Sequence, residues 1–182
     1  MKTQTGFTLI ELMVTIMVLA ILIVIAVPEM RYTIMNNRIT TRTNEFVNTL
    51  AYARNSYTSF GSTCTATSGV CVQVTALSGD WTKGWKVWTD TDGDKSEDAS
   101  KGDIIRQVTF EDDSITITPD KAVTNISFVG RGVVNDAPVN FDVCIKNHKT
   151  KDPAGRRLQL DVFGRLKLIN RELKCVTNGN GK

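Results

Sequence analysis

Histidine is almost absent from this sequence: His148 is the only one, set in the lysine-rich stretch KNHKTKD. No nucleophile motif and no phosphate-cradling glycine loop occurs, so no residue pattern supports an enzyme, and His148 reads as a surface-loop side chain. Four cysteines are present, Cys64, Cys71, Cys144 and Cys175, without a C-x-x-C spacing or a histidine cluster. No zinc site is therefore expected, and neither a metal nor a soluble cofactor is implied. Internal repeats, linkers and low-complexity blocks are missing too, apart from the polar tail TNGNGK. That leaves one small domain behind a long apolar segment, with roughly 120 residues available to fold.

The modest net charge of +3 conceals an imbalance. Residues 80–120 carry five basic and eleven acidic side chains, net −6, whereas residues 142–182 carry ten basic and four acidic, net +6. The two parts of the domain thus differ in sign, either as solvated loop surfaces or because the basic part meets a polyanion. An even cysteine count behind a membrane segment suggests two disulfides in an oxidising compartment. Of the three possible pairings, proximity in sequence favours Cys64–Cys71, which leaves Cys144–Cys175 by elimination.

The apolar segment is Phe7 to Val27, 21 residues long, enough at about 1.5 Å per residue to cross a hydrocarbon core of about 30 Å. It is too long for a signal-peptide core and has no small-x-small cut site. One acid, Glu11, interrupts it. An ionised carboxylate in hydrocarbon costs several kcal/mol unless it is paired or snorkels to the headgroups.

A short basic leader ending in Gly6, then Phe-Thr-Leu-Ile-Glu-Leu and an unbroken apolar helix, closely resembles the class III signal of type IV pilins and type II secretion pseudopilins. The resemblance implies cleavage after Gly6 by a membrane-embedded prepilin peptidase and N-methylation of Phe7. It also implies that Glu11 faces the terminal amine of a neighbouring subunit and sets the stagger of the assembly. Implied partners are other minor and major pilins or pseudopilins and the inner membrane. The implied location is a single-pass inner-membrane protein with a periplasmic C-terminal domain, then the assembled, extracellular pilus.

Pro28 removes a backbone donor and is expected to kink or loosen the helix. Beyond it, Phe46, Leu50, Ala53 and Tyr57 recur at spacings of four, three and four, which predicts one continuous helical face that packs on a sheet. A straight helix from Phe7 to about Phe60 would measure about 80 Å. The runs VCVQVTAL, GWKVWTD, IIRQVTF, SITITP, ISFVG, VNFDVCI, RRLQLDVFG and RLKLIN then read as strands separated by turns, with Ile115 and Ile117 on one face. Among Trp81, Trp85 and Trp88, at least one indole is expected in the core. The segment Asp90–Asp94, DTDGD, fails the EF-hand template because its glycine falls one place early, and turn chemistry explains the same residues.

LAYARNSY, the Cys64 and Cys71 pair, WTKGWKVWTDTDGD and a C-terminal Phe-Gly-Arg together resemble the GspH/FimT family of minor pilins and pseudopilins. The implied fold is α+β: a long N-terminal spine helix, membrane-spanning in its first half, packed on a mostly antiparallel, β-sandwich-like C-terminal domain. The expected organisation is a leader at 1–6, a filament-core helix at 7–28, its amphipathic continuation at 29–60 and a β-rich domain at 61–182. The implied function is a minor pilin of a type IV pilus that takes part in assembly and priming at the tip. The alternatives are a DNA-binding receptor pilin for natural transformation and a minor pseudopilin of a type II secretion system.

Some members of the FimT branch bind double-stranded DNA through a Gly-Arg-x-Arg pattern. The matching residues here are Gly164, Arg165, Leu166 and Lys167, where lysine keeps the charge but loses the bidentate fork. Arg156, Arg157, Lys146, Lys149, Arg171 and Lys174 would enlarge a cationic surface that contacts phosphates. The competing expectation is that Gly164 serves a hairpin turn and Arg165 pairs with an acid on a neighbouring strand or subunit.

Overall fold

The computed structural model describes residues 6–60, 72–89, 97, 104–129, 132–134, 137–146, 155–173 and 175, without the side chains at 28, 29, 32 and 60. Helix α1, Leu9–Phe60, continues through Pro28. The chain divides into two compact units, one up to Arg38 and one from Ile39 onward. In the first unit the apolar side chains between Phe7 and Val27 are all exposed.

In the second unit the distal part of α1 buries Ile39, Thr43, Phe46, Leu50, Ala53 and Tyr57, a stripe at helical spacing. Nine strands follow among the described residues: β1 Val72–Ala76, β2 Gly84–Thr89, β3 Ile104–Thr109, β4 Ile115–Pro119, β5 Asn125–Val129, β6 Val133–Val134, β7 Val139–Ile145, β8 Gly155–Leu160 and β9 Leu166–Leu173. They form a five-stranded sheet ordered β3-β2-β1-β5-β6 and a four-stranded sheet ordered β4-β7-β8-β9, antiparallel throughout. The expected α+β architecture is therefore present. β6 is an addition, a two-residue strand too short to leave a periodic signal.

Alternation decides the inner faces. In β7, Val139, Phe141 and Val143 are buried while Asn140 and Asp142 are half-buried, and in β4 Ile115 and Ile117 are buried. The core converges on Phe46 of α1. Its ring lies 5.0 Å from Trp85 in the first sheet, 5.0 Å from Phe141 in the second and 5.6 Å from Trp81, each edge to face. Complete burial of such a side chain contributes about 1.5–3 kcal/mol, and each edge-on pair adds about 0.5–1.5 kcal/mol.

All three indoles are buried, and each N–H is satisfied: Trp81 donates to the Val123 carbonyl (2.7 Å), Trp85 to Thr49 Oγ1 (3.0 Å) and Trp88 to Thr75 Oγ1 (3.0 Å). Asp80 accepts from the Thr82 amide at 2.9 Å and so starts the short 3-10 turn that swings Trp81 inward. The first sheet is polar but closed on its outer face, where Gln73 and Ser127 are buried and Gln73 accepts from Asn125 and Ser127. Arg42 stands over the Phe110 ring at 3.2 Å, and burial lowers its pKa against the opposing pull of Glu45 and Asp112.

Candidate functional site

Two regions carry the residues singled out by sequence. The first is the start of α1. Thr8 precedes the first helical residue, its carbonyl accepts the Leu12 amide at 3.2 Å, and its hydroxyl accepts the Glu11 amide at 3.3 Å. Thr8 and Glu11 thus hold the N-cap and third helical positions, the spacing of a capping box. This was missed in sequence, although the T-x-x-E pattern before an apolar run is its signal. Glu11 stands in the first turn, where aligned backbone N–H dipoles favour a negative charge. Among the described residues, nothing beyond its chain neighbours would lie within 4 Å of a Cβ at Gly6.

From Leu9 to Val27 the helix presents 19 exposed, overwhelmingly apolar residues, long enough to cross a membrane at about 28 Å. Such a rod is stable only in lipid or against other apolar rods. Glu11 is the one charged residue within it.

The second region is the β8–β9 hairpin. Asp161 organises the turn: its Oδ1 accepts the Phe163 and Arg165 amides, both at 2.9 Å, and its Oδ2 accepts Arg165 Nε at 2.9 Å. Asp161 and Arg165 also exchange backbone contacts, with the Asp161 amide donating to the Arg165 carbonyl at 3.0 Å. Gly164 has a φ of +69°, and a Cβ there would stand 2.6 Å from Phe128 Cε1. Only glycine meets both conditions. The Val134 amide donates to the Val162 carbonyl at 3.0 Å, which fastens the hairpin to β6 of the other sheet.

The cations expected to form one DNA surface have separate surroundings. Arg165 pairs with Asp161, in the hairpin turn itself, and stands 5.6 Å from the Phe163 ring. Arg157 makes a two-pronged pair with Asp142, its neighbour across β7 and β8. That hydrogen-bonded carboxylate raises the Arg157 pKa above its usual value. Arg156 turns toward the Arg171 carbonyl and Thr40 of α1. Lys146 pairs with Asp113, and Lys167 is exposed opposite Gln159. Lys149, Lys174, His148 and Asp90–Asp94 lie outside the described residues, as does the Cys64–Cys71 pairing. No metal-ligating cluster occurs among the described residues.

Cys144 and Cys175 are bonded, with Cα atoms 5.8 Å apart. The bridge links the end of β7 to Cys175, two residues beyond β9, and lies against β8 between them. A Cβ on Gly155 would fall 2.3 Å from Cys175 Sγ and 3.0 Å from Cys144 Sγ, so the disulfide occupies the side-chain space of that position.

Among curated proteins none is significantly similar to this chain. Two family models match it: the type II transport protein GspH over residues 42–164, and the prokaryotic N-terminal methylation motif over residues 1–27. Among solved structures it is similar to the type IV minor pilin FimU of Pseudomonas aeruginosa strain PAO1. One crystal form shares 23% identity over 74% of this chain and 90% of that chain, with a TM-score of 0.53. A second shares 22% identity over 72% and 93%, with a TM-score of 0.51. The GspH model alone spans more than half of the sequence, and the protein belongs to the GspH/FimT/FimU-like family of pilins and pseudopilins, which are structural proteins and not enzymes.

Proposed function

We propose that the protein is a minor pilin of a type IV pilus, processed after Gly6, methylated on Phe7 and inserted into the filament through residues 7–28. The carrying observation is the fully exposed apolar rod from Leu9 to Val27 with one carboxylate, Glu11, in its first turn. In this reading Glu11 meets the amine of Phe7 on an adjacent subunit, so that neither charge is left uncompensated in the filament interior. The helix N-terminus already favours the anion, and the partner amine completes the pair. The β-rich part faces the periplasm and then the outside, and the subunit acts in assembly and priming at the tip.

The DNA-receptor reading is supported less, because Arg165 and Arg157 are each engaged by a carboxylate and Arg156 is turned toward α1. The test is Glu11→Ala in the native host. Leader removal should remain normal by mass spectrometry, while the amount of subunit in sheared filaments should fall sharply. Undiminished incorporation would remove the basis of the proposal.

A further inference from the structure

β9 is held in two different ways along its length. Its first half is anchored by the Asp161 turn and by Leu166 and Leu168, which are half-buried against the core. In its second half Ile169, Asn170, Arg171 and Glu172 are exposed in succession, and only Leu173 is half-buried. The ladder is weak there too. Pairing with β8 slips between Gly155 and Leu158, the Glu172 amide is taken by the Asn170 side chain of its own strand, and the Arg171 carbonyl is taken by the Arg156 guanidinium. Few buried apolar contacts and a broken ladder mark a segment that opens locally.

The Cys144–Cys175 bridge joins that loose half to a fixed point. Cys144 stands on β7, an interior strand paired on both sides, whereas Cys175 lies two residues beyond the edge strand β9. Both cysteines are half-buried rather than enclosed. Exchange with a thiolate depends on such access.

We propose that this bridge is a redox latch on the second half of β9. Closed, it keeps residues 169–173 on the sheet; opened by thiol–disulfide exchange, it releases them while the rest of the fold stays in place. In the exchange a thiolate of a dithiol reductant attacks one sulfur, the S–S bond breaks, and the other sulfur leaves as a thiolate that takes up a proton. The second thiol of the reductant, as its thiolate, then attacks the mixed disulfide, so the chain ends with both cysteines as thiols and the reductant ends as a disulfide. A disulfide oxidant reverses each step. The latch closes only where such an oxidant is present, and it does not depend on whether the chain enters a filament.

Hydrogen–deuterium exchange with mass spectrometry tests this on the full-length chain in detergent micelles, before and after dithiothreitol, with alkylation and peptide mapping to identify the thiols produced. Reduction without denaturant should free Cys144 and Cys175 and speed exchange of the amides at 169–173 by roughly a hundredfold, the opening that a typical bridge suppresses. Exchange across residues 39–57 of α1, β4, β7 and residues 166–168 should stay as it was, and reoxidation should restore slow exchange at 169–173. The doubly substituted chain, Cys144→Ser with Cys175→Ser, should show the same local opening without reductant. Should that chain fail to fold, reduction of the already folded chain decides alone.

A bridge that dithiothreitol cannot open until the chain is denatured, unchanged exchange at 169–173 in the reduced chain, or faster exchange throughout both sheets would overturn the latch.

Discussion

Arg157 and Asp142 face each other across β7 and β8 and share two hydrogen bonds, Nε to Oδ1 at 2.6 Å and Nη2 to Oδ2 at 2.7 Å. The pair is partly exposed, and water screening keeps its contribution small despite the bidentate geometry. Arg157→Lys keeps the charge but loses the fork. It is expected to lower stability by about 0.5–1 kcal/mol, and a double-mutant cycle with Asp142→Asn should return most of that loss as coupling energy. Denaturant titration measures both. A coupling near zero would show the pair to be ornamental to stability.

Gly155 predicts a different failure. Gly155→Ala places a methyl group against Cys175 Sγ at 2.3 Å and against the Val143 carbonyl at 3.0 Å, and the latter belongs to a strand that cannot easily yield. The expected outcome is incomplete closure of the bridge, with a loss of about 2–4 kcal/mol. Thiol labelling of the denatured, unreduced protein followed by peptide mass spectrometry should find Cys144 and Cys175 modified. A fully closed bridge at unchanged stability would contradict this packing.

Asp161 sets a pH dependence. Burial pushes its pKa up, but the hydrogen bonds from the Arg165 backbone and side chain and from the Phe163 amide, with the Arg165 charge, more than offset this and leave it below its usual value. A carboxylate lowered in the folded state adds stability that is fully present above its unfolded pKa of about 3.9 and is lost as pH falls through the folded pKa. Asp161→Asn should therefore lower the thermal midpoint at neutral pH, and its deficit relative to the unaltered chain should shrink below about pH 4. Thermal unfolding followed between neutral and strongly acidic pH checks the sign. A deficit that stays constant or widens would contradict it.

What could be read from sequence was local. The four-three-four spacing of Phe46, Leu50, Ala53 and Tyr57 defines a helical face, and all four are buried. Ile115 and Ile117 alternate into the core as their pattern requires. Long-range pairing was not legible. RRLQLDVFG reads as one strand, yet β8 stops at Leu160 because Asp161 captures the Phe163 and Arg165 amides and turns the chain. Arg156 reads as a surface cation, yet its guanidinium reaches Thr40, 116 residues away. In β9, register shifts opposite Gly155–Leu158 break the alternation, and Ile169, Asn170, Arg171 and Glu172 are exposed in succession. Periodicity along one strand carries no information about a partner's bulge.

The covalent bridge over Gly155 has a mechanical consequence. β9 is an edge strand whose ladder with β8 could unzip one hydrogen bond at a time under load. A pull applied at Cys175 is instead passed through sulfur directly to β7, the interior strand two places away, so that β8 is bypassed.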